Sequence, residues 1–355
     1  MDIIVTIAAS FLEQLQKPTL AFLIAGMLLA ALGSKFEIPD PVYKFIVILL
    51  LLKVGLGAGI SIREADVVTL MVPAVGAALV GVAIVVLGSR TLVRWRGVSQ
   101  TDGLATAGLF GAVSASTLAA GMAVLDDSSI AYEGFIGALY PFMDIAALVT
   151  AILMAKLAAA RKVTASSAHG DNVTLGVGHG HHLPAFSHRS NAHLVRGILI
   201  DTCRSPAISA LLAGLAIGIL SQPDAVYHGF YEPLFRGLLS ILMLIMGMEA
   251  WSRLAELRKV AHAYILYGLT APIIHGLIGF AVGMAAHELT GFSAGGVVLL
   301  AVMAASSSDI SGPPTMRAAL PDANASAYVG TSTGLGTPVT ILSIPLFIAL
   351  AELMI

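Results

Sequence analysis

Long runs of apolar residues restrict the fold of this 355-residue chain more than any other feature. A helix needs about 20 apolar residues to cross the hydrocarbon core of a membrane. Polar residues, prolines and glycines divide the chain into ten such runs: 18–34, 42–60, 67–89, 103–124, 131–157, 206–221, 233–251, 263–287, 293–316 and 324–353. The pattern predicts an all-α polytopic membrane protein with about ten transmembrane helices.

Composition excludes a soluble protein of this length. Charged residues make up 11% of the chain and hydrophobic residues 57%, whereas a soluble domain carries roughly 25% charged residues. The few Lys and Arg residues and the net charge of −2 argue against nucleic-acid binding. Cys203 is the one cysteine, which excludes an internal disulfide framework and a multi-cysteine metal site.

One polar stretch, residues 161–204, separates the fifth run from the sixth. It is rich in His, Gly, Ser and Arg without periodicity, which predicts a flexible connector between parts 1–160 and 205–355. Its histidines are either incidental or metal-binding, and we predict no transition-metal site: they are His169, His179, His181, His182, His188 and His193.

The distribution of Lys and Arg predicts the orientation in the membrane. With ten spans, fourteen of these residues fall on one side and three, Lys17, Arg63 and Arg236, on the other. Because cytoplasmic loops carry the excess of positive charge, the connector is predicted to be cytoplasmic and both termini to lie outside.

Matched residues occur in the same order in the two halves, at separations that rise only from 188 to 196. Examples are Pro18 with Pro206, Gly26 with Gly214, Gly55 with Gly247, Ser114 with Ser306, Ser116 with Ser308 and Tyr132 with Tyr328. Five spans in each half would invert the second copy relative to the first, a construction typical of secondary transporters. Simple duplication in a structural membrane protein is the alternative.

The fourth and ninth runs are interrupted at corresponding places. Ser114, Ser116 and Thr117 lie in the first break, and the second spans residues 306–314. There Pro313 and Pro314 cannot continue a helix. Two restarting helix ends that face each other would hold a small anion. The alternative is that the hydroxyl groups only pack helices together.

Asp309 lies in the second break, beside Ser306, Ser307, Ser308 and Ser311. A carboxylate at mid-membrane costs about 2.5–3.5 kcal/mol, so it needs a partner. Its hard oxygen surroundings favour Na⁺, and H⁺ is the competing partner.

Further polar residues are candidates for supporting roles near the cavity. Asp144 is a second intramembrane acid, and Thr333 and Thr337 lie at about the same depth in the tenth run. Lys53 and Glu249 occupy the second and seventh runs, where they pair with each other or separately with backbone; Lys53 alternatively snorkels or contacts substrate. No arginine lies near the middle of a predicted span, which favours a small monovalent anion over a dicarboxylate.

At these residues the chain resembles the cyanobacterial-type sodium-dependent bicarbonate transporters. The matching stretches are Gln16–Ile24, Gly108–Thr117, Gly137–Asp144, Phe235–Ser252 and Ala304–Thr315, of which the last two are the longest. The resemblance implies Na⁺/HCO₃⁻ symport by an elevator-like movement. Because the sequence shows no catalytic constellation, we do not predict an enzyme. It also implies a homotrimer in the plasma (inner) membrane and inhibition by a PII-like cytoplasmic protein.

The resemblance further implies the roles of individual residues. Bicarbonate would be held by Ser114, Ser116, Thr117, Ser306, Ser307 and Ser308. Sodium, the coupling ion, would be held by Asp309, Ser308, Ser311 and Thr337. The rival functions are a Na⁺- or H⁺-coupled transporter of another small monovalent anion and an anion channel or receptor.

Overall fold

The structure, a computed structural model, describes residues 18–36, 38–63, 67–168, 196–197, 200, 203–204, 206–256 and 262–355. All regular structure in these ranges is helical. The helices of the first half are α1 (Pro18–Ala31), α2 (Asp40–Ile62), α3 (Val67–Arg90), α4 (Gln100–Gly111), α5 (Ala115–Asp127) and α6 (Tyr140–Ala168), with short 3₁₀ turns at Leu92–Arg94 and Gly134–Leu139.

The second half begins with α7 (Pro206–Leu220). A turn at Asp224–Val226 and a π-helical segment at Tyr227–Tyr231 lead into α8. The remaining helices are α8 (Glu232–Glu256), α9 (His262–Thr290), α10 (Ala294–Ala305), α11 (Gly312–Ala319), α12 (Ala325–Val329) and α13 (Thr337–Met354), with a second π-helical segment at Gly330–Gly336.

Seven helical stretches among the described residues are long and apolar enough to cross a membrane. Three further apolar helices are shorter, at Ala21–Ala31, Ile208–Leu220 and Ala294–Ala305. The structure therefore confirms an all-helical chain with candidate membrane spans, but it does not confirm the predicted count of ten.

The last helix of the first half extends into the stretch that the sequence assigns to the connector. Helix α6 continues to Ala168, eight residues into the predicted connector, because Ala, Lys and Arg after residue 155 favour helix. The six histidines of the connector lie outside the described residues.

The helices pack as two groups. Helices α1, α2, α7 and α8 pack mostly against one another, and we call them the four-helix group. Helices α3–α6 and α9–α13 form the core group, which encloses most of the buried residues. The boundary between the groups runs past α5 and the second π-helical segment.

Reciprocal pairing of helices defines the four-helix group, since α1 packs against α8 and α2 against α7. Gly26 of α1 touches the backbone of α8, and Gly247 of α8 touches the backbone of α1, without room for a Cβ atom. Gly55 and Gly214 hold α2 and α7 together in the same way. Small residues permit this close approach of membrane helices.

Candidate ion-binding site

The two breaks predicted from the sequence cross in the interior of the core group. The first lies between the end of α4 at Gly111 and the start of α5 at Ala115, and the second between α10 and α11. The backbone N–H of Ser114 donates to Ser306 Oγ at 3.0 Å. The N–H of Ser308 donates to the carbonyl oxygen of Leu109 at 2.8 Å. Each break therefore satisfies backbone groups that the other exposes.

Local sequence explains where the helices restart. Ser114 is the N-cap of α5, and its Oγ accepts the N–H of Thr117 at 3.1 Å, as N-cap serines commonly do. Pro313 and Pro314 open α11 rather than ending a helix. Proline suits the first turn because its missing N–H has no helical partner there.

A chain of hydroxyl groups from the first break ends on Asp309 in the second. The Thr117 hydroxyl donates to Ser114 Oγ at 2.9 Å, and Ser114 and Ser116 share a hydrogen bond of 2.9 Å. Ser116 donates to Asp309 Oδ2. Because an ionised carboxylate only accepts, all three hydroxyl protons point towards Asp309.

The other oxygen of Asp309 is available for a ligand. Its Oδ1 is buried and has no hydrogen-bond partner among the described residues. Asp309 lines a narrow cleft together with Glu249, Thr333 and Thr337. Leu23 and Tyr43 close the opposite wall, so the cleft lies at the boundary of the two helix groups. An unsatisfied buried carboxylate oxygen suits a hard cation.

Asp144 is the end of a second hydroxyl chain that runs in the opposite direction. It is fully buried and accepts the N–H of Val113 at 3.1 Å and the hydroxyl of Ser311 at 3.2 Å. Ser308 lies 2.9 Å from Ser311, and Ser308 Oγ also accepts the N–H of Gly312 at 2.8 Å. Asp144 of the first half thus accepts a hydrogen bond from Ser311 of the second half, and Asp309 of the second half accepts one from Ser116 of the first.

Tyr140 also joins the Asp144 chain. Its hydroxyl lies 3.3 Å from Ser311 Oγ. Sequence reasoning did not single out Tyr140, although it lies four residues before Asp144 and therefore on the same helical face.

The structure places the other predicted hydroxyl ligands in different roles. Ser306 and Ser307 are fully buried, and their hydroxyls donate to the backbone carbonyls of Met303 at 2.7 Å and Ser332 at 3.1 Å. Thr333 donates to Val329 within its own turn, and Thr337 donates to Ser332 at 3.4 Å. Of these four hydroxyl residues, Thr333 and Thr337 line the Asp309 cleft, and Ser306 and Ser307 do not.

The second π-helical segment, Gly330–Gly336, is a part of the site that the sequence did not reveal. The Ser332 hydroxyl donates to Ser308 O at 3.3 Å, and Thr340 after the segment donates to Ala305 O at 2.7 Å. These bonds hold the second break against the tenth apolar run. π-helical turns are often found at functional sites, and the Thr/Ser/Gly-rich sequence was the available signal.

Lys53 and Glu249 lie in separate pockets. Lys53 is 7% exposed, and its Nζ lies 4.3 Å from the centroid of the Phe235 ring. Glu249 is exposed in the Asp309 cleft. The structure therefore does not bring together the pair that the sequence offered as one alternative.

Transition-metal ligands do not cluster in the part of the chain that the structure describes. There, no group of three or more His, Cys, Asp or Glu side chains is arranged to hold a metal ion. Oxygen donors make up the crossing and the cleft, which is the ligand type of alkali and alkaline-earth cations.

Comparison with protein families identifies a family that covers nearly the whole chain. The family model of the Na⁺-dependent bicarbonate transporter superfamily matches residues 18–352, which include both breaks, the cleft and all the described helices up to Glu352. No curated protein matches the chain.

Proposed function

The chain belongs to the Na⁺-dependent bicarbonate transporter superfamily, and we propose that it imports bicarbonate by symport with Na⁺. The observation that carries this proposal is the hydroxyl chain from Thr117 through Ser114 and Ser116 to Asp309. It connects the residues proposed for the anion directly to the residue proposed for the cation.

The hydroxyl chain supplies a mechanism for coupling the two ions. A hydroxyl group donates one hydrogen bond at a time, so Ser116 cannot donate both to Asp309 and to an anion. Na⁺ bound at Asp309 would neutralise the carboxylate and compete for its oxygens. Ser116, Ser114 and Thr117 would then turn their protons towards bicarbonate beside the start of α5.

Asp309 is the central Na⁺ ligand in this proposal. Its buried Oδ1 has no partner among the described residues, and Thr337 lines the same cleft. Ser308 and Ser311 would add hydroxyl ligands from the second break, although in the structure they bond to each other and Ser311 donates to Asp144. Thr333 and Glu249 complete the cleft wall.

Bicarbonate would bind where the breaks cross. Ser114, Ser116 and Thr117 supply hydroxyl donors, while Ser306, Ser307 and Ser308 shape the opposite wall. The hydroxyls of Ser306 and Ser307 are already used by backbone carbonyls. The second-half serines therefore contribute through backbone and position more than through their own protons.

The two helix groups suit an elevator movement. The four-helix group would stay fixed, and the core group would carry both breaks and the ions across the membrane. The reciprocal glycine contacts of α1 with α8 and of α2 with α7 support an inverted repeat, because the sequence matches of Gly26 with Gly214 and of Gly55 with Gly247 relate one contact to the other. When both ions are bound, their opposite charges compensate each other inside the core group during the movement.

Isotope uptake by purified protein in liposomes tests the proposal. We expect H¹⁴CO₃⁻ uptake that requires an inward Na⁺ gradient, together with trans-stimulated exchange of bicarbonate. Uptake without Na⁺, driven by a proton gradient or inhibited better by another small anion, would favour the rival transporters. Uptake without trans-stimulation would favour a channel, since exchange requires alternating access.

Assembly and regulation follow from the family resemblance. We propose a homotrimer in the plasma membrane with both termini outside, inhibited by a PII-like cytoplasmic protein. Cross-linking in membranes tests the trimer, and a reporter fused to Ile355 tests the orientation. A purified PII-like protein that leaves uptake unchanged would contradict the regulation.

A further inference from the structure

A second polar pocket lies away from the crossing, where the end of α5 meets α2 and α8. Its volume is about 300 Å³, and its polar lining comes from Lys53, Asp126, Ser129, Glu232 and Arg236. Asp126 and Ser129 lie at the end of α5 in the core group. Lys53 of α2 and Glu232 and Arg236 of α8 belong to the four-helix group. In the orientation that the Lys and Arg distribution predicts, this pocket opens to the outside.

Lys53 brings a buried positive charge to the pocket. It is 7% exposed, with Phe235 and Tyr227 rings 4.3 Å and 5.7 Å from its Nζ. Within the described residues, its ammonium group makes no ion pair at 4.0 Å or less with a carboxylate. Aromatic faces stabilise a cation, but a buried charge still requires a counter-charge.

Each of the two acids in the pocket already has one hydrogen-bond partner outside Lys53. Asp126 Oδ1 accepts the hydroxyl of Tyr132 at 3.0 Å, and Glu232 Oε2 lies 2.7 Å from His228 Nδ1. Asp126 and Glu232 therefore each retain one oxygen that these two contacts do not use.

Arg63, another cation predicted for the outer face, is already paired. Arg63 binds Asp224 at 3.2 Å and the carbonyl oxygen of Ser221 at 2.8 Å. Lys53 and Arg236 are left facing one pocket. The same pocket holds the carboxylates of Asp126 and Glu232, so it offers both cationic donors and acidic acceptors to one small polar ligand.

We propose that this pocket captures bicarbonate from the outside before the anion reaches the crossing of the breaks. Lys53 and Arg236 bind its negative oxygens, and a remaining oxygen of Asp126 or Glu232 accepts its O–H. Chloride and nitrate carry no proton to donate, so the two carboxylates repel them without compensation. The identity of the anion rests on the proposed function.

Protection of an introduced thiol tests binding without requiring transport. Ser129→Cys in a Cys203→Ser background places the thiol in the pocket, where a membrane-impermeant maleimide reacts with it. In Na⁺-free buffer we expect bicarbonate to slow the reaction severalfold and equimolar nitrate to leave its rate unchanged. Equal protection by nitrate, or no protection by bicarbonate, would overturn the proposal.

Two charge-removing variants identify the ligands. Loss of a charged hydrogen-bond donor weakens binding by about tenfold or more, so Lys53→Met should shift the protecting bicarbonate concentration upward by that factor. Arg236→Gln removes an exposed cation and should act in the same direction without disturbing packing. Lys44→Met, an exposed position on the same helix, is the matched control and should not change protection.

The outcomes separate this inference from the proposed function. Protection that survives in Lys53→Met and Arg236→Gln rejects the pocket even if Na⁺-dependent uptake is found. Protection that requires Lys53 and Arg236, in a protein without Na⁺-dependent bicarbonate uptake, supports the pocket and rejects the proposed function.

Discussion

Removing the Ser116 hydroxyl should change the affinities for the two ions in opposite directions. Ser116 is 2% exposed and donates to Asp309 Oδ2, whose partner oxygen Oδ1 is buried without a hydrogen bond among the described residues. In Ser116→Ala the Na⁺-free carboxylate loses its donor. The empty state is destabilised, and Na⁺ should therefore bind more tightly. Bicarbonate should bind more weakly, because the same hydroxyl is proposed to turn towards it.

The size of both shifts follows from the bond that is lost. A hydrogen bond to a charged group contributes about 1.5–3 kcal/mol, which corresponds to roughly 10- to 150-fold in an equilibrium constant. Neighbouring Ser114 can turn towards Asp309 in the variant, which places the expected shifts at the lower end. The affinity for bicarbonate should also become nearly independent of Na⁺ concentration.

The affinities are measured by isothermal titration calorimetry. Purified protein is titrated with each ion in the presence and in the absence of the other ion. Ser343→Ala is the matched control, because Ser343 is buried and its hydroxyl donates only to Thr340 O at 2.8 Å. It should leave both affinities unchanged. General damage to the site in Ser116→Ala would weaken the binding of both ions. That result, or an unchanged Na⁺ affinity, would refute the coupling mechanism.

The remaining predictions concern the cation, the second break and helix packing. Asp309→Asn should abolish Na⁺-dependent uptake while the protein still elutes as a folded particle on size exclusion; full uptake would falsify the Na⁺ assignment. Ser308→Ala removes the acceptor of the Gly312 N–H and should lower the free energy of unfolding by about 1 kcal/mol, seen as a lower Tm; an unchanged Tm means that Gly312 has another acceptor. Gly55→Leu should prevent the close contact of α2 with α7 and abolish folded protein, whereas Gly237→Leu, where a Cβ meets nothing within 4 Å, should be tolerated. Equal yields of folded protein from the two glycine variants would contradict the packing.

The sequence by itself determined the all-helical class with candidate membrane spans and the two breaks, and it singled out Asp309 as a candidate site residue. These features depend on the transfer of individual residues into lipid and on local helix rules. Both are properties of a short stretch of chain, so they can be read without knowing what the stretch contacts. The matching of Gly26 with Gly214 and of Gly55 with Gly247 marked equivalent positions of the two halves but not their packing partners, since Gly26 packs against α8 and Gly55 against α7.

Only the tertiary structure decided which hydroxyl serves which acid. Ser116 and Asp309 are separated by 193 positions, and Ser311 and Asp144 by 167. No periodicity relates segments so far apart. The sequence therefore grouped Asp309 with the serines beside it, whereas its observed donor comes from the other half.

Geometry also separated Lys53 from Glu249 and placed a π-helical segment in the tenth run. Burial depth, ring contacts and backbone register arise only when the two helix groups pack, because each depends on a surface that another element supplies. The apolar runs predict that the chain enters the membrane. The crossing of the two breaks determines which of its few polar groups come into contact inside the core group.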